Sequence, residues 1–426
     1  MILRHLLQIP CFLRDKWRMP KGFFFLIGAQ FFSGLADNAL ILVGILFLQE
    51  QGYPGWFAPL LKLSLTLSYV CLASVAGPMA DAFAKQHLMV WMNGVKVSGI
   101  LLLLCGLQPL LAFLIVGLGA SLYAPAKYGL MTESVPSRLL VRANAWFEVT
   151  MVLSVLLGIA LGGALVRLSD GDPVMSVLFE KTADWLPIIN TKTLLAMLIL
   201  LAVYLLSALL NMGLRHLPKR AVRVPLTWNS FQLRAFWSSN LQLWRDPLGG
   251  ITLYVTTLYW GVGAVLQFAV LSWSHESLGL DLQEGAFLQA LVAVGVILGA
   301  FWAGRHFKLH SARESLPWGL GLAALLPVIA QTADLWFAIP MLLSIGFAGG
   351  MLLVPMNALL QRRGMLVLSA GRSIAVQGFN ENLSVLIMIA IYTALLALEV
   401  PLVYILNLLA LLLMAGILPL LWRRWR

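Results

Sequence analysis

Charged residues and cysteines are both scarce in this sequence. Only 11% of its 426 residues are charged and 60% are hydrophobic, whereas soluble domains average about 25% charged and 45–50% apolar residues. A soluble globular protein is therefore excluded. The three cysteines cannot form an even disulfide set and lack metal-ligand spacing, so we expect them to be small buried apolar side chains. The composition is that of an integral membrane protein.

Motifs of enzymes and of nucleotide-binding proteins are also missing. The sequence has no nucleophile elbow, no Walker motif and no His-Asp acyltransferase signature. The Gly-x-Gly stretches at Gly117 and Gly319 are not followed by Lys-Ser/Thr, and His306 and His310 lie together in a basic loop. We therefore expect no enzyme activity, no cofactor and no metal site.

The excess of basic side chains indicates membrane topology rather than nucleic-acid binding. The formal charge is +11, but most of the 29 Lys and Arg residues lie in the two tails and in alternate connections between apolar runs. Cytoplasmic connections of membrane proteins carry such an excess. We expect a multi-pass protein with both termini in the cytoplasm and no nucleic-acid partner. The first twenty residues have no cleavable apolar core, so they are interpreted as a juxtamembrane segment rather than a signal peptide.

Twelve apolar runs can be read, and a transmembrane helix needs about 20 such residues. They predict an all-α membrane protein with twelve transmembrane helices in two six-helix halves. The runs are 22–48, 57–81, 87–107, 109–131, 140–166, 192–214, 248–274, 284–305, 314–331, 335–360, 372–398 and 401–422.

The longest polar stretch, 215–247, is basic and divides the twelve runs equally. Pro125 and Pro355 are separated by the same number of residues as Arg142 and Arg372, which indicates a weak internal repeat. The predicted organisation is a cytoplasmic N-terminal tail 1–21, an N-terminal half 22–214, a basic cytoplasmic linker 215–247, a C-terminal half 248–422 and a cytoplasmic tail 423–426.

Asp37 lies in the middle of the first apolar run. An ionisable side chain at that depth costs about 3 kcal/mol by the milder insertion scales, so it is retained where it faces a water-filled cavity, a partner or a substrate. Lys96, in the third run, is expected to pair with a carboxylate. We interpret Asp37, its neighbour Asn38 and Lys96 as candidate substrate-binding residues.

Polar side chains also mark the fourth and fifth runs. Lys127 follows Pro125 at the end of the fourth run, where it either binds a phosphate as a point charge or only sets the topology. Glu148 shares a helix face with Asn144, four residues earlier. Because a glutamate facing lipid would be costly, we expect that face to point inward.

The eleventh run is the most polar of all. Gln377, Asn380, Glu381 and Ser384 recur at helical spacing in a single stripe. Such side chains either line a substrate path or form hydrogen bonds between helices. The remaining candidate substrate-binding residues are Gln267, Asn357 and Arg372.

A candidate gate lies at the end of the second run, where Gly77, Asp81 and Lys85 resemble the loop between helices two and three of major facilitators. Gly77 permits close helix approach, and Asp81 can cap the N-terminus of a neighbouring helix and pair with a cation, which would latch the cytoplasmic side. Arg142 is assigned to the same gate. The second half has Ala303 where the aspartate would be, so the latch is expected to be one-sided.

Longer stretches resemble the bacterial lysophospholipid transporters of the major facilitator superfamily, over nearly the whole chain. They are Ala29–Phe32, Asp37–Leu40, Tyr123–Gly129, Val354–Gln361 and Ile374–Gln377. The resemblance implies a flippase of the bacterial inner membrane that moves chiefly lysophosphatidylethanolamine from the periplasmic to the cytoplasmic leaflet by alternating access. The implied partners are the lipid bilayer and an acyltransferase/acyl-carrier-protein synthetase. Because no such enzyme follows Arg426, that partner would be a separate chain, and we expect a monomer.

The resemblance also suggests roles for individual residues. Asp37 with Asn38 would hold the ethanolamine ammonium, and Lys127, Lys96 or Arg372 would bind the phosphate. The family often has an arginine in the seventh helix, where this sequence has Gln267, so a pairing of Asp37 with that position is not expected.

The residues alone leave a second function open. Asp37, Glu148 and Glu381 are also what a proton-coupled exporter of drugs or metabolites would use as proton carriers. Dependence of transport on a pH gradient distinguishes the two functions.

Overall fold

A computed structural model describes most of the chain, and every regular element in the described part is helical. The described residues are 19–20, 22–53, 57–171, 191–216, 227 and 231–422. Residues 1–18 and 21 of the predicted N-terminal tail, the predicted C-terminal tail 423–426, and residues 217–226 and 228–230 of the predicted linker lie outside them.

Fourteen α-helices lie in the described ranges. They are α1 (Phe23–Glu50), α2 (Phe57–Cys71), α3 (Ala73–Ala82), α4 (Lys85–Leu104), α5 (Pro109–Ser134), α6 (Leu140–Gly171), α7 (Thr191–Met212), α8 (Leu233–Arg245), α9 (Pro247–Leu278), α10 (Leu282–His306), α11 (Leu316–Ala330), α12 (Leu335–Val367), α13 (Ala370–Ala397) and α14 (Leu402–Trp422).

Each of the twelve predicted runs coincides with a helix or a helix pair. Among the described residues, ten helices are long and apolar enough to cross a membrane alone, and α2 with α3 forms an eleventh span that is bent by 63°. The remaining run is α11, which has only 15 residues and packs between α12 and α14. The predicted all-α membrane fold is confirmed, and eleven of the twelve predicted spans in the described residues are long and apolar enough to cross a membrane. We refer to α1–α7 as the N-terminal half and to α9–α14 as the C-terminal half. The expectation of buried cysteines is wrong for Cys71 and Cys105, whose side chains are exposed.

Close helix approach within the C-terminal half depends on glycine. A Cβ atom on Gly346 would collide with the backbone of α10 at Val292, and one on Gly299 would collide with the backbone of α12 at Phe347. A Cβ atom on Gly295 or on Gly350 would also collide with backbone atoms across the same pair of helices. Small residues at four-residue spacing allow such contact between membrane helices.

The two halves meet where the Lys and Arg side chains concentrate, at the end of the bundle where α3, α5, α10 and α12 end and α4, α6 and α13 begin. We call this the basic end. Ala143 and Ala145 of α6 belong there to one apolar cluster with Ala300 and Ala303 of α10. Helix α3 packs against α13. The halves are therefore in contact at the basic end.

Helix α8 was not predicted, because it has only 13 residues and lies in the stretch interpreted as a linker. It ends at Asp246, whose carboxylate caps α9 by accepting hydrogen bonds from the backbone of Leu248 (3.2 Å) and Gly249 (2.6 Å). Arg363 of α12 forms an ion pair with the same carboxylate at 2.6 Å. Asp246 therefore joins α8, α9 and α12.

We predict an acid-dependent loss of stability at this junction. The hydrogen bond from the Arg363 guanidinium holds the pKa of Asp246 below its ordinary value of 3.8. This contribution to stability is full above 3.8 and is lost as the pH falls through the lowered pKa of the folded state. Asp246→Asn keeps a capping oxygen but removes the charge, so the difference in unfolding temperature between wild type and variant should shrink on acidification. A difference that does not change with pH would contradict the prediction.

Candidate functional site

Asp37 of α1 forms the centre of a charged cluster inside the N-terminal half. The ammonium of Lys96 on α4 lies 2.7 and 2.9 Å from its two carboxylate oxygens, which confirms that Lys96 pairs with a carboxylate. The same ammonium donates to the hydroxyl of Ser33 at 2.9 Å, and the Tyr204 hydroxyl of α7 donates to Asp37 at 2.6 Å. Sequence reasoning missed Ser33, although it lies one helical turn before Asp37, and had no signal for Tyr204.

The two charges of this pair differ in access. The side chain of Lys96 is only 1% exposed, whereas that of Asp37 is 30% exposed. Gly119 of α5 leaves room for the lysine, because a Cβ atom there would lie 2.8 Å from Lys96 Cγ. Lys96 therefore holds the carboxylate from behind, and the open side of Asp37 remains available to a ligand.

Lys127 is a second cation near this cluster. It is half-buried, and its ammonium lies 4.5 Å from the ring centre of Tyr128 and 6.0 Å from that of Tyr123. It lies within electrostatic range of Asp37 and Lys96. The structure therefore brings together three of the predicted residues, Asp37, Lys96 and Lys127, with one accessible charge of each sign.

Asn38 points elsewhere. Its amide donates a hydrogen bond of 2.8 Å to the carbonyl of Gly34 in its own helix. Its Cβ lies close to Gly158 of α6. Asn38 thus contributes to the contact between α1 and α6, and no hydrogen bond joins it to the Asp37 carboxylate among the described residues.

A second polar cluster lies between the halves. The Gln377 amide of α13 donates to Asn357 of α12 at 2.9 Å and to Glu381 at 2.8 Å. Glu148 of α6 is 7% exposed and lies within electrostatic range of Glu381. Neither glutamate forms an ion pair with another described residue. The structure therefore brings four predicted residues together, two carboxylates and two amides. Glu148 belongs to the N-terminal half, and the other three belong to the C-terminal half.

Three predicted substrate-binding residues lie apart from both clusters. Asn380 donates to Asn240 of α8 and accepts from Trp244, so it anchors α8. Gln267 has an exposed side chain, and its backbone carbonyl accepts a hydrogen bond from Gln289. Arg372 lies at the basic end.

Asp81, the central residue of the predicted gate, joins the two halves at the basic end. Asp81 of α3 accepts hydrogen bonds from the backbone of Gly371 (2.8 Å) and Arg372 (3.2 Å) and from the Ser369 hydroxyl. It thereby caps α13, a helix of the opposite half, as predicted. Gly77 allows this approach, because a Cβ atom on it would lie 2.8 Å from the Cα atom of Arg372.

The remaining gate residues act locally. Lys85 forms an ion pair of 2.6 Å with Glu133, within the N-terminal half rather than with Asp81. Arg142 has an exposed side chain. In the corresponding contact of the other half, Gly304 packs on Ala145, and Ala303 is fully buried. The latch formed by the aspartate is therefore one-sided, as expected.

Sequence reasoning missed a further contact between the halves. The side-chain amides of Asn144 on α6 and Gln361 on α12 exchange two hydrogen bonds, each 2.9 Å long. Both side chains are buried, at 4% and 2% exposure. Since 217 residues separate them, no spacing rule predicts this pair.

Two groups of spanning helices with polar and charged side chains between them are typical of secondary transporters. The family model of the Major Facilitator Superfamily matches residues 26–371, and the chain belongs to that superfamily. Superfamily and relatives are transporters, which confirms that the chain is not an enzyme.

Curated relatives confirm the resemblance drawn from the motifs. The chain is 33% identical to "Lysophospholipid transporter LplT" of Serratia proteamaculans over 90% of its own length and 91% of the relative. It is also 33% identical to the protein of that name from Yersinia enterocolitica, over 92% and 91% of the two chains. Among solved structures, the transporter FucP in the outward conformation shares the fold, with a TM-score of 0.72, 16% identity and coverage of 93% and 96%.

Proposed function

We propose that this protein carries lysophospholipids, chiefly lysophosphatidylethanolamine, from the periplasmic to the cytoplasmic leaflet of the bacterial inner membrane by alternating access. The name of its relatives and its superfamily support the substrate class. The observation that carries the proposal is the accessible pair of opposite charges, Asp37 and Lys127, inside the N-terminal half. The headgroup of the proposed substrate carries the same two charges.

The exposure of each charged side chain decides which part of the lipid headgroup we assign to it. The open side of the Asp37 carboxylate accepts hydrogen bonds from the ethanolamine ammonium, and half-buried Lys127 binds the phosphate. Lys96 is too deeply buried to reach a phosphate, so it positions Asp37. Arg372 is assigned to the gate at the basic end. The single acyl chain lies against apolar helix faces.

The predicted topology and the contacts at the basic end support the proposed direction of transport. The excess of Lys and Arg assigns the basic end and both termini to the cytoplasm. With that end closed by Asp81 and by the Asn144–Gln361 pair, substrate reaches Asp37 from the periplasmic side. Rocking of the halves then releases it at the cytoplasmic leaflet, where a separate acyltransferase/acyl-carrier-protein synthetase restores the diacyl lipid. The proposed working unit is a monomer.

Transport by purified protein in liposomes tests the proposal. Labelled lysophosphatidylethanolamine, lysophosphatidylglycerol and diacyl phosphatidylethanolamine are supplied separately, with and without a pH gradient. We expect movement of the lysolipids but not of the diacyl lipid. If no lysolipid moves faster than in protein-free liposomes, the proposal is wrong.

Replacing Lys127 tests the phosphate assignment. Lys127→Gln should lower lysolipid uptake roughly tenfold to hundredfold, because hydrogen bonds to charged groups contribute about 1.5–3 kcal/mol. Lys127→Arg keeps the charge and should retain part of the activity. Lys62, an exposed lysine on α2, is the matched control, and Lys62→Gln should leave uptake unchanged. Equal activities of Lys127→Gln and Lys62→Gln would remove Lys127 from the site.

A proton-coupled exporter is the second candidate. Glu148 and Glu381 favour it, because intramembrane carboxylates without a cationic partner are typical of proton relays. In that case transport requires a pH gradient, and Glu381→Gln abolishes the dependence on the gradient. Lysolipid uptake that is independent of the gradient excludes this function.

A further inference from the structure

Helix α8 has three distinct faces. Its buried face contains Phe236, Asn240 and Leu243 and is fixed to the spanning helices. The Asn380 amide of α13 donates to Asn240 at 2.8 Å, and the Phe236 ring contacts the Phe379 ring with centres 5.2 Å apart. The other two faces are exposed, and their composition indicates what they contact.

The first exposed face is an apolar stripe. Leu233, Trp237 and Leu241 follow each other at four-residue spacing and are 66%, 53% and 48% exposed. The Trp237 ring also lies 5.7 Å from Phe379 of the spanning helix α13, so the stripe continues the surface of the bundle. Large apolar side chains in a continuous exposed row mark a contact with lipid or with another protein.

The second exposed face is polar and basic. Arg234, Ser238, Gln242 and Arg245 occupy it, and all four are exposed. Neither arginine forms an ion pair with another described residue, since the neighbouring Asp246 is paired with Arg363. The sequence from 215 to 232 adds further basic residues and no acidic ones. This charge complements an anionic surface.

We propose that α8 lies in the headgroup layer at the basic end of the bundle and binds anionic phospholipid. An apolar stripe beside a basic face is the arrangement of helices that lie in the plane of a membrane interface, with the apolar side chains at the boundary of the acyl chains. Leu233, Trp237 and Leu241 enter that boundary, and Arg234 and Arg245 contact lipid phosphates. This surface is separate from the Asp37 site, and the inference does not depend on the transported substrate.

Spin labels on neighbouring faces of α8 test the orientation. In a chain whose Cys11, Cys71 and Cys105 are replaced by Ser, a nitroxide is attached through Leu241→Cys or through Ser238→Cys. The protein is reconstituted in liposomes of phosphatidylcholine and phosphatidylglycerol. We expect the label at 241 to be more accessible to oxygen than to a water-soluble nickel chelate, and the label at 238 to show the reverse. Two labels equally accessible to the chelate, or a label at 241 shielded from both reagents by a protein neighbour, would overturn the proposal.

A stability measurement on the chain with its natural cysteines independently tests whether α8 binds anionic lipid. Phosphatidylglycerol in phosphatidylcholine nanodiscs should raise the unfolding temperature of the wild-type protein, because a ligand of the folded state stabilises it. The double variant Arg234→Gln, Arg245→Gln should lose most of that rise. Arg138→Gln, which removes an exposed charge elsewhere at the basic end, should keep it. A rise retained in the double variant, or lost equally in Arg138→Gln, contradicts the proposal.

Discussion

Replacing Lys96 with methionine is expected to destabilise the protein by about 3 kcal/mol, near the lower end of what removing one partner of a buried ion pair costs. The lower end applies because the Asp37 side chain keeps 30% exposure and its hydrogen bond from Tyr204. The variant leaves a carboxylate in the membrane interior without its counter-ion. The unfolding temperature in detergent measures the effect, and Lys62→Met, at an exposed lysine, is the control.

The double variant Asp37→Asn, Lys96→Met tests whether the lost stability comes from the unpaired carboxylate. Since it removes both charges, it should recover most of the lost stability. It should not recover lysolipid uptake, because the Asp37 carboxylate that would bind the ethanolamine ammonium is gone. A double variant no more stable than Lys96→Met would show that the cost is lost packing rather than an unpaired charge.

Replacing Asp81 with alanine is expected to open the basic end. The carboxylate accepts two backbone N–H groups and a hydroxyl at the start of α13. Each hydrogen bond to a charged acceptor contributes about 1.5–3 kcal/mol. Because these contacts join opposite halves, opening the basic end would break them, and their loss should shift the equilibrium towards the open state by at least roughly tenfold. Asp81→Asn keeps an acceptor without the charge and should shift it less.

Alkylation of an introduced cysteine measures this opening. Ser74 of α3 is 8% exposed and lines a small cavity between α3, α8 and α13. In the background without natural cysteines, Ser74→Cys should react with maleimide faster when Asp81→Ala is present. Ser121→Cys, buried within α5, is the control and should keep its rate. Equal reaction rates at position 74 with and without the substitution would show that Asp81 does not hold the basic end closed.

Local sequence properties explain which parts of the fold and the site could be predicted. The length of an apolar run decides whether a helix can span a bilayer, so the twelve runs agree with the observed helices. A charge inside such a run is costly wherever it lies, which is why Asp37 and Lys96 could be singled out. Asp81 at the end of a span had the right chemistry to cap a helix. None of these inferences needs a partner to be known in advance.

Partners from distant segments could not be predicted. The Tyr204 hydroxyl reaches Asp37 across 167 residues of sequence, and nothing in its own surroundings indicates this. Asn380 belongs to the predicted polar stripe of α13, yet its side-chain amide forms hydrogen bonds with α8. The stripe predicts which helix is polar, whereas the neighbour of each side chain depends on how the helices pack.

The amino-acid sequence by itself determined the class of protein, the positions of its apolar helices and the presence of costly charges within them. Hydrophobic length and the free energy of placing a charge in lipid depend on the residues of one segment alone. Tertiary structure alone decided that Lys96 lies behind Asp37 while Lys127 remains accessible, and that Asn144 and Gln361 form hydrogen bonds across the two halves. Access and pairing depend on which helices become neighbours, and that is a property of the packed bundle rather than of any one segment.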